Sequence, residues 1–145
     1  MLDVTYSGRL SGDELDALLE IVVLVAYADG SMAGSELDHI VLRMGDLSGG
    51  SVDRAWVESR VAELRPEKPL LGKARTERFH ALGQRLPQPP LRRAAFKVGL
   101  EVAHADGRMG AREVTTLAAA AAELGLTAQA VLDLLAAIKA ARGEA

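Results

Sequence analysis

The 145-residue chain contains no cysteine. Disulfides, thiolate metal sites and a cysteine nucleophile are therefore excluded. Aromatics are scarce, with Tyr6, Tyr27, Trp56, Phe79 and Phe96 the full set. The core must then come from Leu, Val, Ile and Ala, a composition suited to helices. The longest strongly apolar run, Ile21 to Ala28, is far short of the roughly 20 residues that cross a bilayer. The start, Met1-Leu2-Asp3, lacks a basic segment, so no signal peptide is expected and a cytoplasmic location is the default expectation. No stretch alternates apolar and polar residues as a half-buried strand would. Gly72-Lys73 lacks the preceding P-loop glycine, since Glu67 stands there, and no serine sits in a nucleophile elbow. Nothing assigns an enzymatic activity.

The net charge is −3, unevenly distributed. Between Arg65 and Lys97 there are nine basic and two acidic residues, against eight basic and 18 acidic elsewhere. A basic connector thus joins two acidic halves.

What the chain does have is a stretch written twice. Val25-Ala26-Tyr27-Ala28-Asp29-Gly30-Ser31-Met32, followed by Glu36, returns 77 residues later as Val102-Ala103-His104-Ala105-Asp106-Gly107-Arg108-Met109, followed by Glu113. Two copies are too few for a solenoid, so they predict one domain, residues 1–145, with two similar halves. The halves span about 12–65 and 90–142, and the connector about 66–89.

The periodicity predicts an all-α bundle of seven helices, with the first three echoed by the last three. Ser11 and Glu14 form a capping box for a first helix running to about Asp29, apolar nearly all round and therefore central. Gly30 ends it. The second helix, about 34–47, places Leu37, Ile40, Val41, Met44 and Leu47 inward. The third, about 52–65, follows Ser51 as N-cap and buries Val57, Val61 and Leu64. The fourth, about 73–86, carries Phe79, Leu82 and Leu86. The fifth, about 90–106, starts with proline in its first turn and buries Leu91, Ala95, Val98, Val102 and Ala105. The sixth, about 111–124, buries Val114, Leu117, Ala121 and Leu124, and Gly125 closes it. The seventh, about 128–142, is capped by Thr127 and turns Val131, Leu134, Leu135 and Ile138 inward.

Each copy of the repeat puts an aspartate at the end of a helix, where the macrodipole is negative and an acid costs about 0.3–1 kcal/mol. The glutamate seven residues later lies in the next helix's first turn, where the dipole favours it. Two readings follow. The acids can cap turns, as Asx turns and as the far halves of capping boxes. Ala33 and Gly110 occupy the cap positions, so no cap hydroxyl can answer the glutamates. Alternatively Asp29, Glu36, Asp106 and Glu113 hold a hard divalent cation. Two carboxylates offer at most four oxygens, which suits magnesium with waters, or a weak calcium site completed by carbonyls or the other copy. The acids at loop positions 3 and 5 of an EF-hand are absent.

Ala-x-Ala-Asp-Gly-x-Met-x-x-x-Glu, duplicated on helix-turn-helix units, resembles the TerB-like tellurite-resistance family. The turn is similar to that of the TerB-like domain in DjlA-type membrane co-chaperones. The resemblance covers about 12–142. It implies a seven-helix fold with pseudo-twofold halves, and metal-ion binding through Asp29, Glu36, Asp106 and Glu113. It also implies a role in tellurite and stress resistance, with protein partners at the inner face of the membrane.

Weaker patterns remain. Glu36-x-x-His39 has no echo, because Thr116 replaces the histidine, so a di-iron centre is not expected. His39, His80 and His104 lack metal-ligand spacing and read as surface or half-buried residues. Arg75, Arg78, Arg85, Arg92 and Arg93 offer an anion-binding face for membrane or phosphate surfaces. The preferred reading of that charge is a solvated face, or pairing with the chain's own acidic halves. Nucleic acid is disfavoured, since Phe79 and Phe96 fall at apolar helical positions rather than as stacking aromatics.

Overall fold

The structure, a computed structural model, describes residues 10–105, 109–141 and 143. Among these there are seven helices and no strand: α1 (Gly12–Ala26), α2 (Gly34–Leu47), α3 (Arg54–Leu64), α4 (Gly72–Gln84), α5 (Pro89–Ala103), α6 (Ala111–Leu124) and α7 (Ala128–Ala141).

α1 begins as its capping residues dictate. The Glu14 N–H donates to Ser11 Oγ at 3.1 Å, and the Ser11 N–H donates to Glu14 Oε1 at 2.9 Å. Every residue of α1 from Ala17 to Ala26 is buried, including Glu20. A helix apolar on all sides can be satisfied only by partners all round it. α1 lies chiefly along α5, and α2, α3, α4 and α6 also pack against it. The halves meet reciprocally: α2 packs on α5, and α6 on α1. α4 fills the space between α6 and α1 with Phe79 and Leu82, both fully buried. One hydrophobic cluster runs through all seven helices. Among the described residues no helix is long and apolar enough to cross a membrane.

Several expected boundaries shift. α1 stops at Ala26 rather than Asp29, and α5 at Ala103, because the backbone tightens into a turn at Tyr27 and Ala28 and again at His104 and Ala105. α3 starts two residues late, since its cap is Asp53 and not Ser51; the Asp53 carboxylate accepts from the Trp56 N–H at 2.9 Å. Thr127 caps α7 as expected, taking the Ala130 N–H at 3.0 Å. Val114, expected inside, is exposed, and of the α7 stripe only Ile138 is fully buried. The reason is that α7 leans on α5 and scarcely meets α6.

α4 and α5 carry most of the basic connector, and three of its arginines are engaged within the molecule. Arg78 grips the buried Glu20 with both Nε and a terminal nitrogen. Arg85 donates to Asp13 Oδ1 at 2.8 Å, and Arg92 Nε to Leu86 O at 2.6 Å. The excess charge of the connector is thus turned partly onto the acidic first half. Arg93 is exposed, and Arg75 is half-buried with its Nε shielded from solvent and unbonded.

Candidate functional site

The corner after α1 is set by two short bonds. The Ala28 N–H donates to Val25 O at 3.1 Å and the Gly30 N–H to Tyr27 O at 2.8 Å. Gly30 then takes φ 93°, which only glycine adopts without strain. Asp29 is carried outward on this turn and is exposed, while Met32 packs against the core beyond it.

The two glutamates do the work of helix caps. The Ala33 N–H donates to Glu36 Oε1 at 2.7 Å, and the Gly110 N–H to Glu113 Oε1 at 2.9 Å. Alanine and glycine have no side-chain acceptor, so only the glutamate half of each capping box forms. Both glutamates are buried.

The unexpected neighbour is Asp29. Sequence spacing pairs it with Glu36 of its own corner. The fold instead lays its carboxylate against the second corner: a Cβ placed on Gly110 would stand 3.1 Å from Asp29 Oδ2 and 3.6 Å from Oδ1. Gly110 is the N-cap of α6, so an aspartate disfavoured at the end of α1 is received by the positive end of another helix. That same cap is held by Glu113. Among the described residues Asp29 takes no hydrogen bond or ion pair itself, so its carboxylate and, beside it, that of Glu113 make up the acidic set of this corner. The set is small and mostly carboxylate, which fits a cation that keeps several waters, such as magnesium, better than the 6–8 oxygens calcium prefers. Asp106, the fourth expected ligand, lies outside the described residues. Among the described residues no three His, Asp or Glu side chains gather as a metal-holding group.

Gly110 is therefore a close-approach position. Its φ of −76° would admit any residue, but a methyl group there meets the Asp29 carboxylate. Gly110→Ala is expected to push Asp29 aside and to cost about 0.5–1 kcal/mol, as alanine is a poor N-cap. Chemical denaturation measures the cost. The accompanying Gly110→Ser supplies a cap hydroxyl but the same clash.

A second polar cluster bridges the halves and escaped sequence reading. His39 of α2 places Nε2 2.9 Å from Glu101 Oε1 of α5, and Arg43 Nε stands 3.0 Å from the same oxygen. Lys97 Nζ lies 4.0 Å from Glu101 Oε2. Beside it is a cavity of about 420 Å³ lined by Ser35, Asp38, His39, Leu42, Glu101 and residues of α7. The available signal was the Lys97–Glu101 spacing of four on α5; nothing local identified α2 as its partner. His104, expected at or near the surface, is buried, because α5 ends one turn earlier than predicted and His104 closes it.

Burial pushes the Glu101 carboxyl up, but the His39 hydrogen bond and the Arg43, His39 and Lys97 charges together outweigh it and hold it below the usual carboxylate range. Burial pulls the Lys97 ammonium down, with Arg43 adding to the effect and Glu101 opposing it. A carboxyl held low in the folded state contributes stability that is present above its unfolded value, about 4.3, and is lost as pH falls through the folded one. Glu101→Gln is expected to cost about 1.5–3 kcal/mol at neutral pH, the usual value of a hydrogen bond to a charged group. It should also flatten the acid limb of a stability–pH curve below about pH 4.3, and an unchanged acid limb would show that the cluster does not report on folding.

Compared with known proteins, the chain matches no family model, no curated protein and no solved structure.

Proposed function

We propose that this chain is a non-catalytic, TerB-like protein of a tellurite- and stress-resistance system, whose paired acidic corners hold a divalent cation and present a docking surface to a protein partner. The observation that carries the reading is the Asp29 carboxylate seated on the Gly110 cap that Glu113 also holds. Carboxylates from both copies of the repeat converge there, and convergent like charges favour a cation between them. Magnesium is the better match, with calcium the alternative. A cytoplasmic location, peripheral to the inner membrane face, belongs to the same proposal.

A second reading has its own support. Glu36 and Glu113 each bind a backbone N–H, and Asp29 faces a helix N-terminus, so the acids satisfy turns without any ion. In that case the protein is an interaction scaffold. A third reading, binding to anionic membrane or phosphate surfaces, retains Arg75 and Arg93, while Arg78, Arg85 and Arg92 already hold internal acceptors.

Glutamine separates the first two readings, because its amide oxygen still accepts the cap hydrogen bond while its charge is gone. Calorimetric titration with magnesium, calcium and manganese is expected to give heat for the wild type and none for an Asp29→Asn/Glu113→Gln variant of unchanged thermal stability. Flat titrations for both proteins would remove the ion reading.

A further inference from the structure

We infer that the loop between α3 and α4, with the first turn of α4, docks this chain on an anionic lipid bilayer. Leu71 enters the acyl boundary, and Lys68, Lys73 and Arg75 meet the headgroup phosphates. This rests on the anionic-surface reading above and narrows it to one partner and one face. Four large apolar side chains are exposed among the described residues: Leu42, Leu71, Val114 and Leu132. Of these only Leu71, 59% exposed, has a basic residue within three positions on both sides, Lys68 and Lys73. The fold has no use for this leucine. Leu70 beside it already packs against the core. Leu71 is the N-cap of α4, and its side chain caps nothing. Leucine is among the poorest residues there, where serine or aspartate would accept from an orphan N–H. The position thus gives up helix stability to hold an apolar side chain in water. Pro69, half-buried, and Ala74, exposed, extend the apolar tip on either side.

The charge around the tip is not spent within the molecule. Arg43, Arg54, Arg60, Arg78 and Arg85 each meet an acid of this chain. Lys68, exposed, and Arg75, half-buried, meet none among the described residues. Lys73 Nζ lies 3.7 Å from Glu77 Oε2, with the two side chains 88% and 66% exposed. A pair so exposed is worth little, so the ammonium can leave it for a phosphate. Between Arg65 and Arg75 there are four bases and one acid, Glu67. Helical side chains lean toward the helix N-terminus. Lys73 and Arg75 are therefore directed toward the end that Leu71 occupies, whichever side of α4 they leave from.

An apolar tip among long cations matches the layers of a bilayer surface. Lysine and arginine stems lie along apolar material while their charged heads stay at the phosphates. An apolar anchor joined to a basic patch supplies both terms of reversible membrane attachment, burial and attraction to anionic lipid. Nucleic acid fits this tip less well, since a leucine offers bases neither a stacking face nor a hydrogen bond.

Co-sedimentation with vesicles of mixed phosphatidylcholine and phosphatidylglycerol, beside vesicles of phosphatidylcholine alone, tests the docking face. The expected result is binding to the mixed vesicles that falls steeply with salt, and none to the neutral ones. Leu71→Ser is expected to lower partitioning about tenfold, through the lost burial of the leucine. It also supplies a cap hydroxyl, so thermal stability should hold or rise. Lys68→Gln and Lys73→Gln should each lower partitioning about fivefold. Arg93→Gln, at an exposed arginine near the start of α5, should leave it unchanged. Salt-sensitive vesicle binding that is indifferent to Leu71→Ser, or that responds to Arg93→Gln as strongly as to Lys73→Gln, would overturn the docking face and leave the wider anionic-surface reading standing. Retention on duplex DNA without vesicle binding would do the same. Binding to neither at low salt would remove both.

Discussion

Phe96→Ala is expected to lower the unfolding free energy by about 3–5 kcal/mol, the usual range for truncating a buried phenylalanine. Phe96 is almost completely buried on α5, the helix that lies along α1 at the centre of the bundle. With so few aromatics, the core has no second ring nearby in sequence to fill the gap. Marginal stability of about 5–15 kcal/mol means such a loss is a large fraction of the whole. Urea denaturation followed by far-ultraviolet circular dichroism measures it, and a cost below about 1 kcal/mol would show that the core can collapse around the space. Phe96→Leu keeps most of the volume and should recover the greater part.

Arg78→Ala has the next largest expected effect, about 3 kcal/mol. Glu20 sits on the most buried helix of the molecule with 7% of its surface exposed, and Arg78 meets both of its oxygens. Removing one partner of a buried pair leaves the other charge uncompensated, at about 3–5 kcal/mol. The Arg78 side chain is 43% exposed, so water can partly replace it, which places the effect at the low end. Replacing both residues, Glu20→Leu with Arg78→Met, is expected to be near neutral, since a buried pair often contributes little beyond what an apolar pair would. The two variants compared at pH 7 decide the matter: equal losses would mean the pair itself, and not the stranded carboxylate, sets the stability.

The same pair shows how far local sequence reaches. The excess of basic residues between Arg65 and Lys97 suggested pairing with the acidic halves, and Arg78 and Arg85 do this with Glu20 and Asp13. Which acid each would meet depended on α4 crossing α1 some 60 or 70 residues away in sequence. Helix existence was legible because apolar spacing and caps such as Ser11, Thr127 and Gly125 act within one or two turns. The ends of α1 and α5 were less so. Val25 to Asp29 is apolar enough to continue a helix, and only the tight turn into Gly30 stops it.

The candidate site divides along the same line. Glu36 and Glu113 lie three residues from the N–H groups they accept, so their capping role follows from position alone. Asp29 was read against its own corner because sequence orders residues along one chain and carries no record of the helix packing that brings Gly110 to it. His39 and Glu101 were missed for the same reason, being 62 residues apart on helices that only the packing makes neighbours.

By itself, then, the sequence determined seven helices, the duplicated Asp-Gly corner and an apolar α1 that had to be central, because these depend on hydrogen bonds and periodicities spanning a few residues. Only the tertiary structure decided that Asp29 sits at the other corner's cap, that Arg78, Arg85 and Arg92 find acceptors within the molecule, and that α7 leaves Val114 uncovered. Those outcomes depend on how helices cross and how long their connectors are, and burial of the shared apolar faces of α1 and α5 sets that geometry for the whole chain at once.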